Sequence, residues 1–481
     1  MSENIRHNCG WCLTHTLHDA YGFLRSLQHR GREAAGIAAI GHNRIDVVKW
    51  AGPVTKFGSD NLHKVFPKSH QYHTFLGHVR YATSGRKDKI LEDAHPHTIG
   101  GIFENRGNHH IKRDCDSVVV HNGQIYKKHI PISRVGLLKT ECDSEQALHY
   151  FIEHGEFNFI NNVPGAYTLA VAQKNRSEVV LMRDPLGMHP IILGRKDCKF
   201  VASSEDMVFG ENGGEEIEDL EPGSIYYITP EGDVRKQKGL ESKVKAHCMF
   251  EFQYILNKKS IIDDVSTTVH RRMLGEQLAK EFFPTDASFV TYAPSCPEGA
   301  ARRYSKVTGL PFIDAFYKMR NERSFQDSTK EDREKSLNEN LFLRPGMEET
   351  LKDQTLVVIE DSLVRGNVLN RIKHLLYDKA KVKKAYVASY TSPLCIIGED
   401  GKERGCEFGV DMPSTPLGKD SYIARGRTME QISEKVGMPV YYLSMNGMMQ
   451  AFEKSGIKKE NLCTYCLGGE HPFTRLTVKG E

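Results

Sequence analysis

Thr355 to Leu369, TLVVIEDSLVRGNVL, is the stretch whose reading decides the fold of the second half of the chain. Leu356 to Ile359 is a short, β-branched apolar run that reads as a buried strand. It ends in two acids, Glu360 and Asp361, and a turn containing Gly366 leads into a helical pattern over Val368 to Asp378. In an open α/β sheet, ligands bind beyond the carboxyl ends of strands, and a helix start offers free N–H groups to a phosphate. Glu360 and Asp361 therefore suit ribose hydroxyls or a magnesium ion, and Ser362 to Gly366 suits a terminal phosphate. Phe289–Tyr292 and Ala385–Ser389 are similar apolar runs, so the region predicts βαβ units and a parallel sheet. Arg320 to Leu351 is highly polar between them and reads as a mobile loop or lid.

Upstream, the pattern changes near residues 235 to 250. Short β-like runs at Gly36–Ile40, Thr74–Val79, Ser117–His121, Ala166–Ala172, Val179–Arg183 and Ile225–Thr229 are separated by Gly, Asn and Asp turn signals, as in a layered sheet. Two helices are expected, near His18–Gln28 and Ser144–His154, the second with its serine at the N-cap. The last thirty or so residues hold Cys463-Thr464-Tyr465-Cys466 and a basic tail.

The chain has 481 residues, enough for two or three domains at ~150 residues each. Lysine and arginine total 65 against 62 acids, a net +3 that gives no field suited to nucleic acid or an anionic membrane. Hydrophobic residues are 39% and no apolar run approaches the ~18 residues of a membrane span. Met1 to Asn8 lacks the apolar centre of a signal peptide, so a cytoplasmic location is expected. The 11 cysteines then read as thiols, metal or cluster ligands, or catalysts rather than disulfides.

The Thr355–Leu369 segment resembles the phosphoribosyl pyrophosphate (PRPP) motif of type I phosphoribosyltransferases, in the form found in the amidophosphoribosyltransferase family. The first half carries that family's other signatures in order: Cys9-Gly10, Leu27-Gln28-His29-Arg30-Gly31, Ala34-Ala35-Gly36-Ile37, Gly77-His78-Val79-Arg80-Tyr81, His121-Asn122-Gly123, Asp143-Ser144-Glu145, Gly165-Ala166-Tyr167 and Arg183-Asp184-Pro185. Gly409-Val410-Asp411-Met412-Pro413 extends the likeness nearly to Cys463. The resemblance implies a propeptide over 1–8 and a four-layer αββα N-terminal-nucleophile hydrolase domain over 9–240. It further implies a doubly wound phosphoribosyltransferase domain over 241–450 and a C-terminal extension over 451–481. The implied partners are glutamine, PRPP and inhibitory purine nucleotides, in a homo-oligomer.

The chemistry needs these residue types. An internal thiol titrates near ~8.5 and is mostly protonated at neutral pH, whereas an N-terminal α-amino group, near ~8, can act as the cysteine's own base. Cys9 must then become residue one. Asn122 and the Gly123 N–H would hold the oxyanion formed by attack on the glutamine amide. Arg80 would grip the substrate carboxylate and Asp143 its α-ammonium group. In the second site the resemblance assigns Glu360, Asp361, Ser362, Arg365 and Gly366 to PRPP, with Lys318, Arg320 and Arg323 from the lid and Mg²⁺ at Glu360 and Asp361. The chain departs from the family at Asn367-Val368, where two threonines are usual, and at Ser336–Leu341, where relatives carry basic residues.

Cys463-x-x-Cys466 suits one metal centre, zinc or iron–sulfur. The cluster-bearing branch of the family implies a [4Fe-4S] centre on Cys248, Cys406, Cys463 and Cys466, with Cys395 a rival third ligand. Cys9-Gly-Trp-Cys12 also spells a redox motif, but no strand of a βαβ unit precedes it. His95, His97, His109, His110, Asp114 and Cys115 match no defined metal spacing and read as a solvated polar loop. Two other functions remain open: a glutaminase serving an altered phosphoribosyl or sugar-phosphate acceptor, and a non-catalytic regulatory homologue.

Overall fold

A computed structural model of the chain describes residues 9–81, 89–127, 130–131, 135–240, 242, 244–319, 340–415 and 422–475. The first half is built on thirteen strands: β1 Gly10–Thr14, β2 Ala34–Gly41, β3 Arg44–Ala51, β4 Thr74–Arg80, β5 His97–Asn105, β6 His109–Ile125, β7 Gly165–Gln173, β8 Val179–Arg183, β9 Ile192–Lys196, β10 Lys199–Ser203, β11 Glu215–Asp219, β12 Ser224–Ile228 and β13 Val234–Lys238. They form one hydrogen-bonded path, β11-β9-β10-β1-β4-β2-β3-β6-β7-β8-β12-β13, with β5 on β6. β6 is long enough to serve three partners, β3, β5 and β7. Its start pairs with β3 and its end with β7, so the path turns through β6 into two facing sheets.

Strand alternation sorts the layers. Trp11, Leu13, Ala38, Ile40 and Leu76 meet Val118, Val120, Ala170 and Leu181 from the other sheet in one core. The Trp11 indole Nε1 spans the gap and donates to Thr168 Oγ1 at 3.0 Å, satisfying a buried donor. On the outer face of the first sheet, Ala35, Ile37, Phe75 and Val79 pack with Phe23 and Leu24 of helix α1, Leu17–Ser26. On the outer face of the second, Leu169, Val171, Val180 and Met182 pack with Leu148 and Phe151 of the helical stretch Asp143–Asn162. The layers are thus helix, sheet, sheet, helix.

Two local expectations fail here. The His95–Cys115 stretch is the start of a hairpin, β5 and β6 joined at Gly107, with His95, His97 and Cys115 buried rather than solvated. A Gly- and His-rich segment lacks an apolar alternation of its own, and its partner strand supplies the order. Ser144 does not cap the second helix. Cys142 occupies the N-cap with no side-chain cap bond, and Ser144 Oγ instead faces His95 Nε2 and His121 Nδ1, both at 2.8 Å. The helix also runs past His154 to Asn162, broken at Gly155 with φ of 76°.

The second half holds a parallel sheet in the order Phe289–Tyr292, Thr355–Glu360, Lys384–Ser389, Val440–Tyr442, with Phe312 bridging to Val290 on the outer side. Val357 and Ile359 face Leu274, Leu278 and Tyr304, while Leu356 and Val358 face Leu369, Ile372 and Ile432, so helices cover both faces. Leu341–Leu343 and Met347–Leu351 are a strand and a helix rather than part of a loop, because Leu341 and Leu351 are buried anchors. The C-terminal segment is tied into the domain junction: Leu462–Cys463 pairs in parallel with His247–Cys248. Among the described residues no helix is long and apolar enough to cross a membrane.

Candidate functional site

Cys9 stands at the entrance of β1. The antiparallel register, Gly10 opposite Val79, brings it beside Arg80 at the end of β4. Its thiol is fully buried and faces the Tyr81 carbonyl at 4.0 Å. Burial pushes this thiol up to about 12, against weaker pulls from the Tyr81 carbonyl and from Arg80 and Arg30. An unassisted Cys9 is therefore a thiol, and any nucleophilic role requires a base at hand.

Arg30 fixes the backbone at this point. Its Nε donates to the Cys9 carbonyl at 2.9 Å, and its two terminal nitrogens reach Glu205 at 2.8 Å and Glu251 at 3.0 Å. All three side chains are buried. Gly10 leaves room for the arginine: a Cβ there would lie 2.9 Å from Arg30 Cδ.

Three further residues converge on the same corner. His78, two residues before Arg80, has its Nε2 3.0 Å from the His121 carbonyl, so the end of β4 abuts Asn122. Asn122 is fully buried, and among the described residues neither its Nδ2 nor its Oδ1 has a hydrogen-bond partner. Gly123 beside it has φ of 133°, and a Cβ would stand 1.9 Å from the Ala166 carbonyl oxygen, so no other residue fits the ladder. Asp143 Oδ2 accepts from the Ile125 N–H at 2.7 Å and Gln124 Nε2 at 3.3 Å, a buried carboxylate aimed by backbone. Arg80 pairs with Glu33 at 3.1 Å and Asp93 at 3.6 Å, but its Nε and Nη2 have no hydrogen-bond partner among the described residues. Cys9 and Arg80 thus meet across the β1–β4 register, and Asn122, Gly123 and Asp143 gather at the adjoining end of β6, with Glu33 and Asp93 beside Arg80 as acids the sequence did not flag.

The second site lies between the carboxyl ends of Phe289–Tyr292 and Thr355–Glu360. These are the neighbours where the strand order reverses, the usual crevice of a doubly wound sheet. A cavity there is lined by Ser295, Cys296, Lys318, Glu360, Asp361 and the stretch from Ser362 to Leu369. Burial raises the Glu360 carboxyl well above its ordinary range, the adjacent Asp361 raises it further, and Lys318 pulls against both. Glu360 Oε2 is buried without a hydrogen-bond partner among the described residues. Asp361 Oδ1 takes the Ser362 hydroxyl at 2.9 Å. Gly366 has φ of 76° and touches Ile423, which a Cβ would meet at 2.3 Å. Arg365 lines the cavity and also binds Asp411, at 3.0 Å to its carbonyl and 3.3 Å to its carboxylate. Arg320 and Arg323 lie outside the described residues, as do Met1 to Asn8.

Cys248, Cys406, Cys463 and Cys466 are all buried at the junction. Cys248 is in register with Cys463. Burial and then the neighbouring cysteines push the Cys248 and Cys466 thiols well up. Cys406 Sγ accepts the main-chain N–H groups of Phe408 and Val410, each at 3.3 Å. Among the described residues no three of these sulfurs lie within 4.8 Å of one another. A lone tetrahedral zinc would need about 3.8 Å, from Zn–S bonds of ~2.3 Å. Cys395 lies close by, its N–H donating to the Cys466 carbonyl at 2.8 Å.

Comparison with known proteins agrees with both halves. A family model described as a glutamine amidotransferase domain matches residues 104–210. The chain is 31% identical over 475 residues to the amidophosphoribosyltransferase of Archaeoglobus fulgidus, covering 96% of this chain and 95% of that relative. It is 29% identical to that of Methanocaldococcus jannaschii, covering 94% and 93%. Among solved structures, the glutamine PRPP amidotransferase of Bacillus subtilis complexed with ADP and GMP superposes with a TM-score of 0.78 at 24% identity, over 96% of this chain and 97% of that one.

Proposed function

The chain belongs to the amidophosphoribosyltransferase family, and from that premise we propose that it transfers ammonia from glutamine to PRPP. The products are 5-phosphoribosylamine, pyrophosphate and glutamate, the first step of de novo purine synthesis. The observation that carries the reading is the Asn122 amide, buried without a hydrogen-bond partner among the described residues and adjacent to His121, whose carbonyl meets His78 two residues before Arg80. An unsatisfied buried amide costs about 1–3 kcal/mol, a cost met when a reacting ligand completes its hydrogen bonds.

Once residues 1–8 are removed, the Cys9 α-amino group accepts the Sγ proton as sulfur bonds to the glutamine amide carbon. Asn122 Nδ2 and the Gly123 N–H hold the oxyanion. The proton passes to the departing ammonia, and water then cleaves the thioester to glutamate. Arg80 and Asp143 orient the amino acid through its carboxylate and α-ammonium group. In the second site the ammonia nitrogen bonds to the ribose C1 as the bond from C1 to pyrophosphate oxygen breaks. The electron pair leaves with pyrophosphate, and one proton leaves the nitrogen. Asp361 and Glu360 take the ribose hydroxyls, Ser362 to Gly366 the 5′-phosphate, and Lys318 with Arg320 and Arg323 the pyrophosphate.

The partnerless Glu360 oxygen beside Asp361 fits a divalent cation, and Mg²⁺ bound there supplies neutralisation of the leaving pyrophosphate. The four junction cysteines fit a [4Fe-4S] cluster: they are buried, Cys248 stands in register with Cys463, and main-chain N–H groups donate to Cys406 Sγ. The cluster's part on this reading is structural, joining the junction to the C-terminus. Purine nucleotide inhibition, a homo-oligomer and a cytoplasmic location belong to the same reading.

Glutamine hydrolysis measured with and without PRPP and magnesium tests it. Turnover should accelerate with both, and Asp361→Asn should abolish the heat of PRPP binding. Hydrolysis indifferent to PRPP, with no binding heat, favours an altered acceptor. Silence at both sites favours a regulatory homologue.

A further inference from the structure

The hairpin that the sequence leaves as a loop creates a second buried polar cluster. His95 and His97 lead into β5, and Cys142 stands at the N-cap of Asp143–Asn162. One ligand-type atom from each of the three lies within 4.8 Å of the other two, and all three side chains are buried. Their surroundings orient rather than dilute them. Ser144 Oγ sits 2.8 Å from His95 Nε2 and 3.4 Å from Cys142 Sγ, and the His78 ring stacks on His95 at 4.1 Å between centroids.

We propose that His95, His97 and Cys142 form a mononuclear site for a zinc-class divalent cation, with three protein ligands and an open fourth position. The donor set selects the metal. Two imidazoles and a thiolate suit zinc, whereas calcium and magnesium take oxygen ligands. Bonds of ~2.0–2.1 Å to nitrogen and ~2.3 Å to sulfur put tetrahedral donors about 3.3–3.6 Å apart. The observed 4.8 Å bound therefore closes by about an ångström of side-chain movement. Three protein ligands with a free position is the coordination of an exchangeable site, unlike the four closed ligands of a purely structural zinc. The site shares no ligand with the four junction cysteines and does not rest on the reaction proposed above.

Its location gives the metal a consequence. Cys142 precedes Asp143, and Asp93, which pairs with Arg80, lies two residues before His95. Binding would brace the two elements that carry those charges.

The test uses full-length protein, purified anaerobically, freed of loose metal with a chelator and titrated with Co²⁺ and then Zn²⁺. One equivalent of cobalt should give tetrahedral ligand-field bands and a thiolate charge-transfer band, both bleached by zinc. Cys142→Ala should remove the charge-transfer band. His97→Gln should weaken binding by at least about 10–100-fold, the range already seen for losses beyond the ligands themselves. Circular dichroism reports whether each variant is folded, and His97→Gln decides alone if Cys142→Ala is not. Folded wild-type protein without cobalt bands, or bands that survive in folded His97→Gln, overturns the proposal.

Discussion

Replacing Asn122 by alanine separates catalysis from stability at a single residue. In the folded protein its amide is fully buried and makes no hydrogen bond through either atom among the described residues. Removing it abolishes no native bond and relieves a desolvation cost of about 1–3 kcal/mol. The small cavity left behind costs about 1 kcal/mol on the scale of a deleted methylene or two. These nearly cancel, so the thermal midpoint should hold or rise slightly. The reaction pays instead: loss of one oxyanion donor costs roughly 10²–10³ in turnover, about 2.7–4 kcal/mol. The neighbouring Gly123→Ala should lower stability as well as turnover, since its N–H is the other oxyanion donor and its Cβ would stand 1.9 Å from the Ala166 carbonyl oxygen at φ of 133°. Overpacking and backbone strain at about 1–3 kcal/mol each should loosen β6 from β7. The assays are glutamine hydrolysis at saturating substrate and thermal unfolding of both variants. Unimpaired turnover in Asn122→Ala, or a midpoint falling as far as in Gly123→Ala, refutes the assignment.

Intact-mass analysis of active protein should give a chain beginning at Cys9, because a buried thiol held near 12 needs its own α-amino group as base; full glutaminase activity with Met1 retained counts against that mechanism. Anaerobically purified protein should be brown with about four irons per chain, and colourless, zinc-loaded active protein would exclude the cluster. Stability should fall in mild acid through Glu251. Burial opposes its charge, but Arg30 and His189 outweigh burial and hold the carboxyl below its usual range. A depressed folded value means stabilisation that is complete above the unfolded value near ~4.3 and lost as pH falls below it. Urea midpoints measured from pH 7 downward should drop more steeply in the wild type than in Glu251→Gln; parallel profiles argue against the coupling.

What was legible in the sequence follows from range. Ala34–Gly41, Gly165–Gln173 and Thr355–Glu360 announce themselves because strands buried on both faces are continuous apolar runs. β11, Glu215–Asp219, is invisible for the opposite reason. It is an edge strand paired to β9 by backbone alone, and an exposed edge favours the charges that hide it. The residues of each candidate site were legible as types in an order, while their partners were not. Arg30 sits in a recognisable Leu-Gln-His-Arg-Gly stretch, yet Glu205 and Glu251 lie 175 and 221 residues away along the chain, with no local pattern pointing to either.

That network also bears on how the two halves of the molecule communicate. Glu251 is held at once by Arg30, which grips the Cys9 carbonyl, and by His189, whose other nitrogen lies 2.7 Å from the Phe408 carbonyl. Phe408 in turn donates its N–H to Cys406 Sγ. Three residues after Glu251, Tyr254 lines the cavity beside Asp361. A buried ion pair that loses one partner costs about 3–5 kcal/mol, so Arg30, Glu205 and Glu251 can move only together. The Cys9 backbone, the cysteine group and the wall of the second cavity are therefore linked through one buried hydrogen-bond network. A change that shifts Glu251 should therefore be felt at Cys9 through Arg30.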